Sequence, residues 1–303
     1  SNLSIFATNS NNSIYIESGL NKEYSMSHDG NILCIDISSD NSMAAACAND
    51  STAKIWDVAT GEIIGKPLVH DRKVVEKVMF SPDGKILASF AENDNKVNLW
   101  DVKTGNALPI DIKHTKQILD MEFSPCGNYL VTSGIDWTIH RWDIKNGNSP
   151  IYLKGHSAKV NDVKYSPCGK YIYSASNDGS IIKWDAASGS ILKKMKNSGT
   201  GVAGISLSND GKIIASYTYS HRISIWDTET GKLLSGRNSK DAAHNGFISE
   251  LNFSKGGKWI ASTSADSTLR VIDSSNGNPV CEPVKFPGKV VSAKFILNDS
   301  ILA

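Results

Sequence analysis

Histidine, a hydroxyl side chain and aspartate recur together along the chain, and these are the residue types of a nucleophilic catalytic triad. Two stretches carry such a set at the same spacing: His114, Thr132 and Asp136, then His156, Ser174 and Asp178. A triad would occur once in an enzyme, whereas this set repeats. We therefore interpret both sets as structural and predict no catalytic residue.

A glycine-rich stretch at residues 199–204 matches the pattern GxGxxG. In a dinucleotide-binding site this pattern follows a strand and opens a helix, whose N-terminus faces the phosphates. Here the glycines lead into a strand-like run at residues 204–207, and no helical periodicity of useful length occurs in the chain. The sequence therefore predicts no nucleotide and no other cofactor.

Metal binding has no support in residue spacing. The five cysteines are an odd number, and neither a CxxC nor an HxxxH motif occurs. Such cysteines favour a reducing compartment, so we predict an intracellular, cytoplasmic protein, with the nucleus as an alternative location.

The charge balance bears on the class of partner. The chain carries 32 basic and 31 acidic residues, which predicts no nucleic-acid partner but leaves a local basic patch open. No apolar run approaches the roughly 20 residues that span a bilayer, so no membrane association is expected.

Internal repetition organises the chain. Trp-Asp pairs follow one another in steps of 44, 42, 42 and 42 residues, and a degenerate pair, Ile272-Asp273, comes 46 residues later. The Trp-Asp pairs begin at Trp56, Trp100, Trp142, Trp184 and Trp226. A histidine precedes the tryptophan position by 28 residues in four repeats, and by 30 residues at His70. Those four are His28, His114, His156 and His244. Hairpin turns such as residues 81–84 separate alternating apolar runs such as residues 160–165, which predicts several short strands per repeat.

This repeat resembles that of the WD40 β-propeller family, and the resemblance covers essentially the whole chain. It implies an all-β fold with four antiparallel strands per blade around a central channel, and the Trp-Asp pair at the end of each third strand. We predict a single seven-bladed domain over residues 1–303. The expected blades are residues 28–69, 70–113, 114–155, 156–197, 198–243, 244–285, and a last blade of 286–303 with 1–27.

Both termini are expected to build the last blade, which would leave no loose sheet edge. Residues 291–295 match its first strand, and residues 14–16 match its third strand, with Glu17 at the tryptophan position. Residues 301–303 and 3–7 both match the second strand. Either one copy frays, or the chain comes from a longer array of blades.

The resemblance also implies a buried hydrogen-bond network of four side chains in a blade, which would supply donors to a buried aspartate. Carried over, two repeats have all four members: His114, Thr132, Asp136 and Trp142, and His156, Ser174, Asp178 and Trp184. Other repeats lack members. In the first repeat, Ala46 replaces the hydroxyl residue. In the fifth repeat, Ser198 replaces the histidine and Ser220 replaces the aspartate. In the sixth repeat, Ile272 replaces the tryptophan.

For function, the resemblance implies a non-catalytic scaffold that binds a peptide or protein segment on one face, as a monomer or as part of a complex. The candidate partner-binding residues on that face are Tyr219, Phe247, Ile135 and Trp137. Lys159 and Glu76 are expected near the channel mouth, where they would set the charge preference. Tyr219 and Phe247 are large aromatic residues in adjacent blades, and such residues anchor many interfaces. The competing interpretation is that Tyr219 fills the space left by the missing network of the fifth blade.

Two further hypotheses stay open. The linkers at residues 60–68 and 279–284 are similar to those of WD40 arrays attached to signalling ATPases, which suggests a sensor module of a larger protein. A propeller enzyme with a channel site would need convergent carboxylates or histidines. Of the seven positions expected at the channel, only Glu76 is ionisable. These positions are Leu33, Glu76, Leu119, Asn161, Ala203, Ser249 and Val291.

Overall fold

A computed structural model of the protein describes residues 3–8, 13–18, 22–71, 73–147, 149–196, 200–236, 244–290, 293–295 and 301–302. Every regular element in these ranges is a β-strand. No helix there is long and apolar enough to cross a membrane. Ser198, Gly199 and Val291, which figured in the sequence predictions, lie outside the described residues.

The chain begins with a three-stranded antiparallel sheet, and six four-stranded sheets follow. The N-terminal sheet contains β1 (Leu3–Thr8), β2 (Ser13–Ser18) and β3 (Lys22–Ser27). The first blade contains β4 (Ile32–Ile37), β5 (Met43–Ala48), β6 (Thr52–Asp57) and β7 (Leu68–Val69). The second contains β8 (Val75–Phe80), β9 (Ile86–Ala91), β10 (Lys96–Asp101) and β11 (Ile112–Lys113). The third contains β12 (Ile118–Phe123), β13 (Tyr129–Gly134), β14 (Thr138–Asp143) and β15 (Ile151–Lys154).

The other three blades repeat this order. The fourth contains β16 (Val160–Tyr165), β17 (Tyr171–Ser176), β18 (Ser180–Asp185) and β19 (Ile191–Lys196). The fifth contains β20 (Val202–Leu207), β21 (Ile213–Thr218), β22 (Ile223–Asp227) and β23 (Leu233–Ser235). The sixth contains β24 (Ile248–Phe253), β25 (Trp259–Ser264), β26 (Thr268–Asp273) and β27 (Val284–Lys285). As the resemblance implied, each third strand ends at the aspartate of the Trp-Asp position.

The chain divides into two compact units, residues 1–136 with 140–150, and residues 137–139 with 151–303. Within each unit, successive blades bury apolar side chains between them. In the first unit, Ala45 and Ile55 of the first blade pack with Val75 and Val78 of the second. In the second unit, Tyr173 of the fourth blade belongs to a buried cluster with residues of the fifth. The second strand of a blade is covered on both faces, and its sequence is accordingly a run of small or apolar residues, as in β5.

The hairpin between the first two strands of a blade explains the recurring turn sequence. In the second blade, the Ser81 hydroxyl donates to Asp83 at 2.7 Å, and the Gly84 amide donates to the Ser81 carbonyl at 2.8 Å. Gly84 has φ of 69°, a left-handed conformation that glycine adopts without a steric cost. The turn thus uses each residue type for a separate physical reason.

The predicted seven-bladed ring closed by both termini is wrong: the described residues form six four-stranded blades. The strands expected to share a seventh blade form two separate sheets instead. The C-terminal sheet contains β28 (Lys294–Phe295) and β29 (Ile301–Leu302), and β1 pairs with β2 over six residue pairs. Each of the two candidate second strands has therefore paired with the strand beside it in sequence. Local pairing of this kind closes the shortest loop and costs the least chain entropy.

Candidate functional site

The most exposed aromatic side chains of the fifth and sixth blades belong to the second compact unit. Tyr219 follows β21 and is 42% exposed, whereas Phe247 precedes β24 and is 62% exposed. The ring of His221 meets the ring of Phe247 edge-on, with 5.1 Å between centroids. The Lys159 ammonium lies 5.6 Å from the centre of the Tyr219 ring. We call Tyr219, His221, Phe247 and Lys159 the aromatic patch.

The turn that carries Tyr219 explains why its side chain faces solvent. The Tyr219 amide donates to the Gly201 carbonyl, and His221 has φ of 62°. This left-handed conformation reverses the chain within two residues before β22 begins. With 42% of its surface exposed, the Tyr219 side chain is not enclosed in the interior of the blade. In the same turn, the hydroxyl groups of Thr218 and Ser220 share a hydrogen bond of 2.9 Å.

The other candidate residues are placed as follows. Trp137 belongs to the second unit, is 54% exposed, and has φ of 68°. Ile135 and Glu76 belong to the first unit, and both are half-buried. Burial and the nearby charge of Glu92 raise the pKa of Glu76. Within the second unit, the structure thus pairs Lys159 with Tyr219 and His221 with Phe247.

The four-residue network is assembled in the fourth blade. His156 Nδ1 lies 2.9 Å from Asp178 Oδ2, and His156 Nε2 lies 2.7 Å from the Ser174 hydroxyl. The Trp184 indole N–H donates to the same hydroxyl at 2.8 Å. Ser174 and Trp184 are completely buried. A hydroxyl with no access to solvent cannot reach a substrate, so this group is built to hold the blade together.

The ionisation of the network follows from burial and hydrogen bonding. Burial opposes the charge of Asp178, but hydrogen bonds from Ser180, His156 and the Ser157 amide together lower its pKa well below the usual range. Burial lowers the pKa of His156 although Asp178 is close. The pair is therefore a carboxylate that accepts from a neutral imidazole at neutral pH.

The third blade has the same network and one additional histidine. His114 Nδ1 lies 3.1 Å from Asp136, and Thr132 Oγ1 lies 2.7 Å from His114 Nε2 and accepts from Trp142 at 2.9 Å. The ring of His140 stacks on that of His114, with 3.8 Å between centroids and 6° between planes.

Among the described residues, His114, Asp136 and His140 are the one group that gathers three metal-ligating side chains. A metal ion binds an imidazole nitrogen in the plane of the ring, at about 2.0–2.1 Å for zinc. Two parallel planes 3.8 Å apart share no such point. The residues therefore do not fit a metal ion bound by both histidines.

The comparison with known families agrees with this geometry. The family described as WD domain, G-beta repeat matches six segments: residues 21–57, 63–101, 109–143, 147–185, 189–227 and 237–273. The chain belongs to the WD40 family. No match was found among curated proteins.

Two WD40 repeats of this chain depart from the network in the first unit. In the first blade Ala46 offers no hydroxyl, so the buried His28 Nε2 meets no side-chain partner. In the second blade His70 Nε2 reaches Ser89 at 2.8 Å, but His70 Nδ1 meets Asn98 at 3.3 Å rather than the aspartate.

The fifth and sixth WD40 repeats depart in other ways. In the fifth, Ser216 still accepts from the Trp226 indole at 2.9 Å, whereas the histidine position, Ser198, is outside the described residues. In the sixth, His244 reaches Asp266 at 3.0 Å and Ser262 at 2.9 Å, and the buried Ile272 takes the place of the indole.

Sequence reasoning missed a fifth member of the WD40 network. The Ser180 hydroxyl donates to Asp178 Oδ1 at 2.5 Å, and Thr52 and Thr268 make the same bond to the aspartates of their own repeats at 2.7 Å and 2.6 Å. The recurring sequence Asp-x-Ser/Thr carries this signal. The hydroxyl adds a further donor to a carboxylate that is otherwise costly to bury.

A second missed feature links neighbouring WD40 blades. Asp36 accepts from the Phe80 amide at 2.7 Å, and Asp162 accepts from the Ile205 amide at 2.8 Å. In both cases an acidic residue in the first strand of a blade bonds the first strand of the next. The signal in the sequence is an acidic residue inside an otherwise apolar strand.

The glycine motif of this WD40 chain leads into a strand. Gly204 lies in β20, and no helix begins there. A Cβ at Gly204 would lie about 2.4 Å from the Tyr217 ring. The glycine thus gives space to an aromatic side chain of β21, which is a packing role.

Proposed function

We propose that this WD40 protein is a non-catalytic scaffold that binds a peptide or protein segment on the aromatic patch. The observation that carries the proposal is the exposure of Tyr219 and Phe247 in adjacent blades. Aromatic side chains supply most of the binding free energy at many interfaces, and clustered exposed ones mark interaction sites.

The surroundings of the two rings support an anchoring role. His221 packs against Phe247, and Lys159 lies over Tyr219, so neither ring stands alone on the surface. A ring whose position is fixed by neighbours loses less conformational entropy when a partner covers it. Lys159 would favour a partner segment with an acidic or carbonyl-rich portion beside its apolar anchor.

The network residues support the non-catalytic part of the proposal. Their hydroxyl groups, Thr132 and Ser174, are completely buried and accept hydrogen bonds from tryptophan. All five cysteines are unpaired thiols, which supports an intracellular location with a reducing environment.

The test is affinity capture with the full chain, followed by calorimetry on each captured protein. The double variant Tyr219→Ala, Phe247→Ala is compared with the native chain and with a control, Tyr152→Ala, Leu234→Ala, which removes exposed apolar side chains from β15 and β23 of the same unit. Circular dichroism checks that both variants are folded.

We expect the patch variant to lose the captured partners or to bind them at least tenfold more weakly, because anchor residues each contribute on the order of 2 kcal/mol. The control variant should bind as the native chain does. Unchanged affinity of the patch variant for every partner would place the binding site elsewhere.

A further inference from the structure

Two cysteines face each other across the first two strands of the first blade. In the register of β4 and β5, Cys34 lies directly opposite Cys47. A β-bulge between Ile32 and Cys34 produces this arrangement. Without the extra residue, Cys34 would oppose Ala46 and its side chain would point to the other face of the sheet, because side-chain direction alternates along a strand.

The pair is a property of this blade and not of the repeat. At the same register position the second, third and fourth blades have Lys77 with Phe90, Asp120 with Ser133, and Asp162 with Ala175. The other three cysteines, Cys126, Cys168 and Cys281, are exposed and lie in different repeats. Ordinary packing therefore does not require two thiols here.

The separation suits a covalent bond. Directly opposite residues of an antiparallel pair have Cα atoms about 4.5–5.5 Å apart, and disulfides span about 4.4–6.8 Å. Cys34 packs against the buried cluster that contains Cys47, and its thiol donates to the Val78 carbonyl at 3.8 Å. Opposite Cβ atoms are slightly farther apart than a relaxed disulfide allows. A bond formed here would draw the strands together, and strained disulfides are the ones most readily reduced.

The two thiols differ in accessibility. Cys34 is partly exposed, whereas Cys47 is completely buried with Ala45 and Val78. The neighbouring Cys47 thiol and the charge of Lys77 lower the pKa of Cys34 despite its partial burial, and burial raises the pKa of Cys47. Cys34 is thus the thiol that a small oxidant attacks in its thiolate form. Cys47 is the neighbouring thiol that then reacts with the oxidised Cys34.

We propose that Cys34 and Cys47 form a redox modification site, in which a peroxide oxidises Cys34 and Cys47 then closes a reversible cross-strand disulfide. The Cys34 thiolate attacks one peroxide oxygen, the O–O bond breaks, and hydroxide leaves and takes up a proton as water. This step leaves a sulfenic acid on Cys34. The Cys47 sulfur attacks the Cys34 sulfur, the S–S bond forms, and a second water leaves. Two thiols and one hydrogen peroxide give one disulfide and two waters, and a thiol reductant reverses the change.

The experiment treats the reduced full chain with increasing hydrogen peroxide, blocks remaining thiols, and maps the products by peptide mass spectrometry without reduction. We expect a disulfide-linked peptide pair containing Cys34 and Cys47, a fall from five to three reactive thiols in denaturant, and reversal by dithiothreitol. Cys126→Ser, which removes an exposed cysteine, should give the same linked pair.

A second variant separates pairing from simple oxidation. Cys47→Ala adds a fourth small residue to the buried alanines at 44–46 and keeps the strand apolar. Its Cys34 sulfenic acid has no resolving thiol, so we expect at least tenfold more trapping by dimedone than in the native chain. If Cys47→Ala does not fold, Cys34→Ser serves instead, and Cys47 should then stay reduced.

Two results would overturn the proposal. One is the absence of the linked pair at peroxide concentrations that oxidise the exposed Cys126 or Cys168. The other is equal dimedone labelling of Cys34 in the native chain and in Cys47→Ala.

Discussion

The carboxylate of Asp178 is buried and accepts several hydrogen bonds at once. Its side chain is 4% exposed, and it accepts from His156, the Ser157 amide and Ser180. Replacing it by alanine should cost about 1–3 kcal/mol, because these donors would be left buried and unpaired. Trp184→Ala and Trp142→Ala should each cost about 3–5 kcal/mol through the cavities left by the buried rings.

Ser220, at the matching position of the fifth blade, is the control for these substitutions. It is exposed and its hydroxyl bonds Thr218, so Ser220→Ala should cost clearly less than Asp178→Ala. Urea denaturation midpoints give the order. A larger loss for Ser220→Ala than for Asp178→Ala would contradict the assigned roles.

Burial of His70 makes the stability of the fold depend on pH. Burial lowers the pKa of His70 from 6.5 to about 4. Between pH 4 and pH 6.5 the unfolded chain therefore binds a proton at His70 that the folded chain does not. The contribution of His70 to stability is therefore complete above pH 6.5 and is lost as the pH falls toward 4. In His70→Gln the slope of the unfolding free energy against pH should fall by up to about 1.4 kcal/mol per unit. Urea titrations at several pH values measure it, and an unchanged slope would show that His70 is not the group that titrates.

At the scale of the strand, β5 of the first blade lacks the hydroxyl group that the second strands of the other blades supply to the network. Ala46 is completely buried in β5, and the equivalent residue of every other blade is serine or threonine. Ala46→Ser should give His28 Nε2 its missing partner and stabilise the protein by about 0.5–1.5 kcal/mol.

The neighbouring Ala45 is the matched control. It is equally buried but faces the apolar cluster with Val78, so a hydroxyl there should cost about 1–3 kcal/mol. Both variants are compared by urea denaturation. A lower midpoint for Ala46→Ser than for the native chain would mean that His28 does not accept the new hydroxyl.

The ends of the third strands follow from the Trp-Asp spacing, and the four-residue networks follow from that spacing together with the WD40 resemblance. The second repeat shows where that reasoning stops. Its histidine stands two residues farther from the tryptophan, and the structure turns at Asn93, which has φ of 56°. Asp94 consequently pairs with Lys73 at 3.1 Å instead of His70. The altered spacing indicates that the network of this repeat differs from the others. The donor that pairs with the aspartate, however, depends on how the turn packs.

At the scale of the whole chain, the number of blades could not be read from the termini. Residues 3–7 and 301–303 have the same strand pattern, and pattern alone does not choose between a distant partner and a neighbouring one. In the structure β1 pairs with β2 and β29 pairs with β28. The aromatic patch was partly predictable, since Tyr219 and Phe247 stand out by size, but the contact of His221 with Phe247 arises from a left-handed turn.

A chain of repeats whose networks are each internal should respond to substitutions additively when the sites lie in different repeats. Asp178 is bonded by His156 and Ser180 of its own repeat, and Asp266 by His244 and Thr268 of its own. The two aspartates share none of these partners. In Asp178→Ala, Asp266→Ala the loss of unfolding free energy should equal the sum of the single losses within about 0.3–0.5 kcal/mol.

The matched pair inside one network should behave differently. Asp178→Ala and Ser180→Ala each remove the same hydrogen bond, so the double variant should lose less than the sum, by about 0.5 kcal/mol or more. Urea denaturation of the two double-mutant cycles measures both quantities. A coupling between Asp178 and Asp266 as large as that between Asp178 and Ser180 would mean that strain passes through the fifth blade. The networks would then not be independent units of stability.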